Sequence, residues 1–267
     1  MLNTALWNDE RPWLDIVASR RKSSRNLTLE DNPLLPLYGP LIDCDSRPDS
    51  FVMAQLGQSL DGRIATASGH SHYINGRSAL IHLHRLRALA DAVIIGVGTA
   101  LADNPALTVR HATGPSPAKI IIDPNSRLTL NEACLTDSST RRIVLRRGET
   151  ATDKTGPEGV EILTVPGDDT RTLSPHRIIA RLAEAGLTRL LVEGGAHTVS
   201  AFLAAGALDR MHFLIGPMII GSGPAGLTLP VIETLNEAIR PTIMSYSLPE
   251  GDMLIDCAFT RTGEQKP

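Results

Sequence analysis

The chain has 267 residues, an apolar fraction of 42% and a formal net charge of −3 with both signs interspersed, enough to bury a large α/β core in one domain or two small ones. Aromatic residues make up only 3% and no basic tail is present, which argues against stacking on exposed bases and against nucleic acid or an anionic membrane as partners. Cys44, Cys134 and Cys257 are scattered and odd in number, no apolar run approaches a membrane span, and polar Asn8-Asp9-Glu10 stands where a signal peptide needs an apolar core; the expectation is a soluble cytoplasmic protein with neither a disulfide framework nor a metal.

Residues 1–50 read as an N-terminal extension of loops with one short helix around Trp13 to Val17, in which the basic run Arg20 to Arg25 is a solvated face. Residues 51–267 read as the main domain. Phe51 to Leu56 predicts a strand, followed by the turn Ser59-Leu60-Asp61-Gly62. Gly76 to Asp91 carries Leu80, Leu83, Leu86 and Leu89 at helical spacing. His82 and His84, flanking that stripe two apart, point away from each other and are expected at the surface.

Ala92 to Thr99, Lys119 to Asp123 and Arg142 to Leu145 are near-continuous apolar runs, the pattern of strands buried on both faces of a parallel sheet. Pro175 to Gly186 predicts a helix with proline in its first turn and glycine after its last. Arg189 to Glu193 is a further buried strand, delivered through Gly194-Gly195 into a helix from Thr198 to Ala205. Met211 to Ile220 and Met253 to Phe259 predict strands that run antiparallel at the sheet edge. The fold expected is one doubly wound α/β domain with helices on both faces.

In an open parallel sheet, ligands lie beyond the carboxyl ends of the strands. Three glycine-bearing corners fall there: Gly57 to Gly62, Gly96 to Thr99 and Glu193 to Gly195. None completes G-x-G-x-x-G, since Leu101 stands at the third glycine position of the middle one. The Gly194-Gly195 pair lets backbone N–H groups approach a pyrophosphate, and Glu193 at the strand end is the first candidate acid; the alternative is a plain strand-to-helix connection with a solvated carboxylate. Arg87 and Arg110 are candidate phosphate clamps, the alternative being surface ion pairs. Asp61, before a glycine in a turn, reads as structural.

Taken together, the chain resembles the pyrimidine reductases of riboflavin biosynthesis, the RibD C-terminal domain family. The resemblance is carried by Ser59-Leu60-Asp61-Gly62-Arg63-Ile64-Ala65, Gly69-His70-Ser71-His72-Tyr73-Ile74, His84-Arg85-Leu86-Arg87 and Gly96-Val97-Gly98-Thr99. It continues through Leu101-Ala102-Asp103-Asn104-Pro105-Ala106-Leu107-Thr108-Val109-Arg110, Leu191 to Gly195, Gly206 to Asp209 and Ile215 to Gly221. It implies a dihydrofolate-reductase-like α/β fold with a mostly parallel central sheet and antiparallel C-terminal strands, a homodimer, and NADPH as the cofactor. The implied reaction is hydride delivery to C1′ of a 5-amino-6-ribosylaminopyrimidine 5′-phosphate, giving the ribitylamino product.

By matching position, the resemblance assigns Ser71, Arg87, Leu107, Arg110 and Glu193 to the phosphorylated substrate, with Glu193 catalytic. It assigns Gly57, Tyr73, Thr99, Asp103, Gly194, Gly195, Ala196, His197 and Thr198 to the dinucleotide. Three positions depart from the family pattern. Gln55 replaces a usual lysine, Tyr73 a usual tryptophan, and Pro124 a serine at the cofactor's extra phosphate, where Arg127 supplies an alternative contact. Residues 1–50 lack His-x-Glu and Pro-Cys-x-x-Cys, so no deaminase is expected in them. A same-fold reductase of a pterin or dihydrofolate-like heterocycle and a non-catalytic nucleotide-binding module are the competing readings.

Overall fold

The computed structural model of the chain describes residues 7, 9–21, 28, 30–43, 49–149, 153–167 and 172–260. Ten strands form one sheet: β1 (Phe51–Ser59), β2 (Ala92–Gly96), β3 (Ala118–Ile122), β4 (Arg142–Gly148), β5 (Asp153–Thr155), β6 (Glu161–Pro166), β7 (Arg189–Glu193), β8 (Arg210–Gly216), β9 (Thr242–Ser247) and β10 (Met253–Ala258). Their spatial order is β5-β6-β4-β3-β2-β7-β1-β8-β10-β9. The six pairings from β6 across to β8 are parallel, and β8, β10 and β9 are joined antiparallel, as the sequence implied. The opposite edge also ends antiparallel, where β5 meets β6.

Side chains alternate across the sheet and divide the core into two layers. Val52, Ala54, Ile94, Ile120, Leu190 and Val192 face one way, under helices α6 (Pro175–Glu184) and α7 (Ala196–Ala204), which contribute Ile178, Val199 and Phe202. Phe51, Met53, Val93, Ile121 and Leu191 face the other, under helices α3 (Arg77–Leu89) and α4 (Val97–Asp103). A four-residue turn of helix, α5 (Ala133–Thr136), lies between β3 and β4.

The extension departs from expectation. It forms two helices, α1 (Glu10–Arg21) and α2 (Leu35–Asp43), rather than loops with one short helix. Trp7, Trp13, Ile16, Leu37, Tyr38 and Leu41 are buried in the same cluster as Met53 and Leu86; each such side chain contributes about 1.5–3 kcal/mol on burial. Polar ties fasten the seam: Trp13 Nε1 donates to Thr113 O at 2.9 Å, and Arg20 Nη1 donates to Ala88 O at 2.6 Å and reaches Asp91 through Nη2. Arg20 is therefore not a solvated charge; the remainder of that run, residues 22–25, lies outside the described residues, as does Cys44.

This cover explains a second correction. His82 and His84 are fully buried rather than at the surface: Trp7 and Tyr38 of the extension pack on His82, while His84 lies against His111 and accepts the backbone N–H of Arg110. The Tyr38 hydroxyl is 2.8 Å from His82 Nδ1, His82 Nε2 is 2.9 Å from His212 Nδ1, and His212 Nε2 is 3.2 Å from Asp256 Oδ1. Arg210 completes the line as the partner of Asp256. Burial, then the neighbouring His212 and Arg85, hold His82 well below the ordinary histidine value.

Boundaries moved where glycine or an edge intervenes. The run Ala92 to Thr99 divides at Gly96, after which α4 begins at Val97, and β8 stops at Gly216 rather than Ile220. The short strands β5, β6 and β9 were not expected from the sequence.

Candidate functional site

The carboxyl ends of β1, β2, β3 and β7 open into one crevice of about 1140 Å³. Two of its corners interlock. A Cβ added at Gly195 would lie 2.7 Å from Thr99 Oγ1, and one added at Gly96 would lie 2.5 Å from Thr198 Oγ1. Gly194 and Gly195 hold φ of +60° and +54°, a region costly for residues with a Cβ. The β2–α4 and β7–α7 turns thereby press together, and the first turns of two helices present their unspent N–H groups to the same space.

Glu193 ends β7 in this crevice with its side chain 6% exposed. Arg87 holds it through both arms, Nε donating to Oε1 at 2.7 Å and Nη2 to Oε2 at 2.6 Å, while Nη1 donates to Thr108 O at 3.0 Å. Burial works against the charge on Arg87, but the adjoining Glu193 carboxylate outweighs it and raises the guanidinium's pKa. A fork-to-fork pair of this kind fixes the orientation of the acid. Gln55 pairs with Glu193 in the β1–β7 register and also lines the crevice, so the position where a lysine was expected adjoins the carboxylate.

Of the residues singled out in the sequence, Gly57, Ser71, Thr99, Asp103 and the run Glu193 to Thr198, including Ala196 and His197, line the crevice. Four do not. Tyr73 is 91% exposed with φ of +68°. Leu107 is buried in the core with φ of +55°. Arg87 stands behind Glu193, its fork filled by the carboxylate. Arg110 is exposed and lines a separate cavity, its backbone N–H donating to His84 Nδ1 at 2.9 Å. The two arginines thus do not form a paired clamp in the crevice.

At the far end, Asp123 at the tip of β3 is fully buried and accepts N–H bonds from Arg127 and Leu128 at 2.9 and 3.0 Å. The turn it ties presents Pro124, Asn125 and Arg127 to the crevice. Asp61 is likewise structural: Ser59 Oγ and the N–H groups of Ile220 and Gly221 bond its carboxylate and lower its pKa to about 2. The start of α6, with Leu173, Ser174 and Pro175, completes the wall. Its signal in the sequence was the Ser-Pro helix start, read for structure and not for the site. Among the described residues no group of three or more His, Cys, Asp or Glu could hold a metal ion.

The RibD C-terminal domain family matches residues 50–237. The 2,5-diamino-6-ribosylamino-4(3H)-pyrimidinone 5′-phosphate reductase of Methanothermobacter thermautotrophicus is 32% identical over 212 residues, covering 77% of this chain and 96% of that protein. The riboflavin biosynthesis protein RibD of Aquifex aeolicus is 34% identical over 175 residues, covering 65% of this chain and 48% of that one, so the chain spans about half the length of this relative. Among solved structures, a diaminohydroxyphosphoribosylaminopyrimidine deaminase/5-amino-6-(5-phosphoribosylamino)uracil reductase from Thermotoga maritima shares the fold with a TM-score of 0.68 at 24% identity, over 86% of this chain and 62% of that one.

Proposed function

Because the chain belongs to the RibD C-terminal domain family, we propose that it is an NADPH-dependent oxidoreductase that reduces the ribosylamino group of a 5-amino-6-ribosylaminopyrimidine 5′-phosphate to the ribitylamino product in riboflavin biosynthesis. The observation that carries this reading is the meeting, in one crevice, of the interlocked glycine corners with a buried, arginine-held carboxylate.

The residues present suit the dinucleotide. Gly194, Gly195 and the first turn of α7 offer backbone donors where a Cβ would clash, which is what a pyrophosphate needs. Gly57, Thr99 and Asp103 wall the same space. When bound, NADPH supplies the hydride; the protein's task is to hold the acceptor carbon within reach and to stabilise the charge that changes there.

The open-chain imine at C1′ takes up one hydride and one proton to become the amine, and it is most reactive as the positive iminium. The Glu193 carboxylate, held in place by Arg87, favours that cation and orients it. Arg87 acts through Glu193 and is a positioning residue. Ser71 is assigned to the substrate end of the crevice.

The assay that tests the reading follows absorbance at the nicotinamide band with the aminopyrimidine ribotide and, separately, dihydrofolate as acceptors. A fall with the ribotide alone is expected. A fall with dihydrofolate alone would move the assignment to a pterin reductase, and none with either would leave a nucleotide-binding module.

We assign the cofactor's extra phosphate to Arg127, which lines the crevice from the turn after β3, where the N–H groups of Arg127 and Leu128 occupy both oxygens of Asp123. Arg127→Ala is expected to raise KM for NADPH about tenfold, the worth of one charge-assisted bond, and to leave KM for NADH unchanged. Equal changes in both would remove the assignment.

A homodimer through the β9 edge fits the proposal. Ile243 and Met244 on that strand are exposed, and an apolar unpaired edge is stabilised by cover. The buried free thiols of Cys134 and Cys257 suit a reducing cytoplasm.

A further inference from the structure

A second cavity, of about 690 Å³, lies between the N-terminal extension and α3. Its walls come from Trp7 and the start of α1, from α3, from residues 110–113 and from Glu250. Arg77, Ile81 and Arg85 recur every four residues and form the α3 wall, whereas Leu83 lines the crevice and Arg87 reaches Glu193 behind it. Residues 85 and 87 are about 200° apart on a helix, so the two cavities lie on opposite sides of α3.

The chemistry of this wall is lopsided. Arg85 is 2% exposed; its Nη2 donates to Trp7 O at 3.3 Å and its guanidinium carbon sits 5.3 Å from the centroid of the Trp13 ring. The Tyr38 hydroxyl feels its charge and lies within reach of a hydrogen bond from it. Even so, Nε and Nη1 of Arg85 and Nε1 of the equally buried Trp7 have no hydrogen-bond partner among the described residues. All three atoms can only donate. The backbone acceptors nearby are already used, Thr113 O by Trp13 and Trp7 O by Arg85.

Buried donors left without acceptors are costly unless a ligand or ion supplies the missing lone pairs. Arg77 and Arg110 add two more guanidinium groups at the rim, against the carboxylates of Glu10 and Glu250; Glu250 is already spent in part on the N–H of Ser78, at 3.2 Å.

We propose that this second cavity is a binding site for the phosphate group of a small phosphorylated molecule, separate from the crevice, with Arg85 as its central donor and Arg77 and Arg110 closing over it. Guanidinium forks match a tetrahedral oxyanion bidentately, and the indole N–H of Trp7 supplies a neutral donor. Arg77, Ile81 and Arg85 lie on the side of α3 turned away from Glu193, and Arg110 is the one residue this site shares with the substrate contacts that the resemblance assigns.

The chain's two tryptophans, Trp7 and Trp13, both line this cavity, so intrinsic tryptophan fluorescence reports on it alone. Titration of the full chain with inorganic phosphate at constant ionic strength is expected to give a saturable change below about 10 mM, the range of a weak but specific contact. Arg77→Ala, at an exposed position, is expected to weaken phosphate about tenfold, and Arg85→Lys to remove the response by replacing the fork with a point charge. Should Arg85→Lys fail to fold by circular dichroism, the Arg77 variant decides alone.

No saturable change, an equal change with sodium chloride at the same ionic strength, or an unaltered phosphate affinity in Arg77→Ala would overturn the proposal. Tighter binding of malonate than of phosphate would overturn the assignment to a phosphate group. A rise in KM for the ribotide in Arg77→Ala that tracks the lost phosphate affinity would overturn the separation of the two sites.

Discussion

Glu193→Gln is expected to lower kcat by about a hundredfold or more, the range for loss of an acid–base or charge-stabilising group, while the affinity for NADPH stays nearly unchanged. The split follows from position. The carboxylate lies at the floor of the crevice, and the dinucleotide is assigned to the glycine corners beside it. Glutamine keeps the shape but removes the charge that favours the iminium and leaves Arg87 buried with half its fork unanswered.

An unpaired buried guanidinium costs about 3–5 kcal/mol, so the variant should also melt earlier. Replacing both members, Glu193→Gln with Arg87→Gln, is expected to recover part of the stability and none of the turnover. That contrast separates the chemical role from the structural one in a double-mutant cycle. A folded Glu193→Gln enzyme with undiminished kcat would reject the catalytic assignment.

The second large effect is acid lability. Three fully buried histidines titrate below the ordinary value of 6.5. Burial, then the nearby Arg87, His111 and Arg110, lowers His84 to about 3; burial lowers His212 in spite of Asp256. A group whose folded pKa is depressed binds fewer protons folded than unfolded. Its contribution is complete above pH 6.5 and is lost as pH falls below that value.

Each such group adds a slope of up to about 1.36 kcal/mol per pH unit between its unfolded and folded pKa, which for His84 spans the whole interval from 6.5 to about 3, with His82 and His212 adding in the same direction. Against a total stability of about 5–15 kcal/mol, a step from pH 7 to pH 5 removes a large share. Urea midpoints measured at the two values should differ sharply, and His82→Gln should reduce the slope. Equal midpoints at pH 7 and pH 5 would contradict the buried, neutral state of these rings. Asp256, whose pKa is lowered because its bonds to His212 and Arg210 outweigh its burial, adds a loss in the same direction only below its ordinary value of 3.8.

The sheet was legible where physics leaves a local trace. Runs such as Val93-Ile94-Ile95 and Ile120-Ile121-Ile122 have few other uses than strands covered on both faces, and Glu193-Gly194-Gly195 marked the corner that the crevice surrounds. What escaped was decided by distant partners. Nothing around Arg87 announces that a carboxylate 106 residues away fills its fork, and His82 reads as exposed until α2 is known to lie over it. Helix α2 was itself obscured by Gly39 and by Pro40 inside it. Strand β9 buries only Tyr246, so it lacks the alternation that identifies a half-covered strand. Arg110 was assigned by motif alone, and a position in the chain does not tell on which side of a helix a long side chain comes to rest.

The place of β7 has a consequence for synthesis. It lies between β1 and β2, two strands made about a hundred residues before it. A nascent chain that has not yet produced Leu190 and Val192 carries two apolar strands with bare inner margins, open to the wrong neighbour. Stalling or cleavage ahead of residue 189 should therefore yield insoluble fragments, and the pocket is born in a single late event when this one strand slides home.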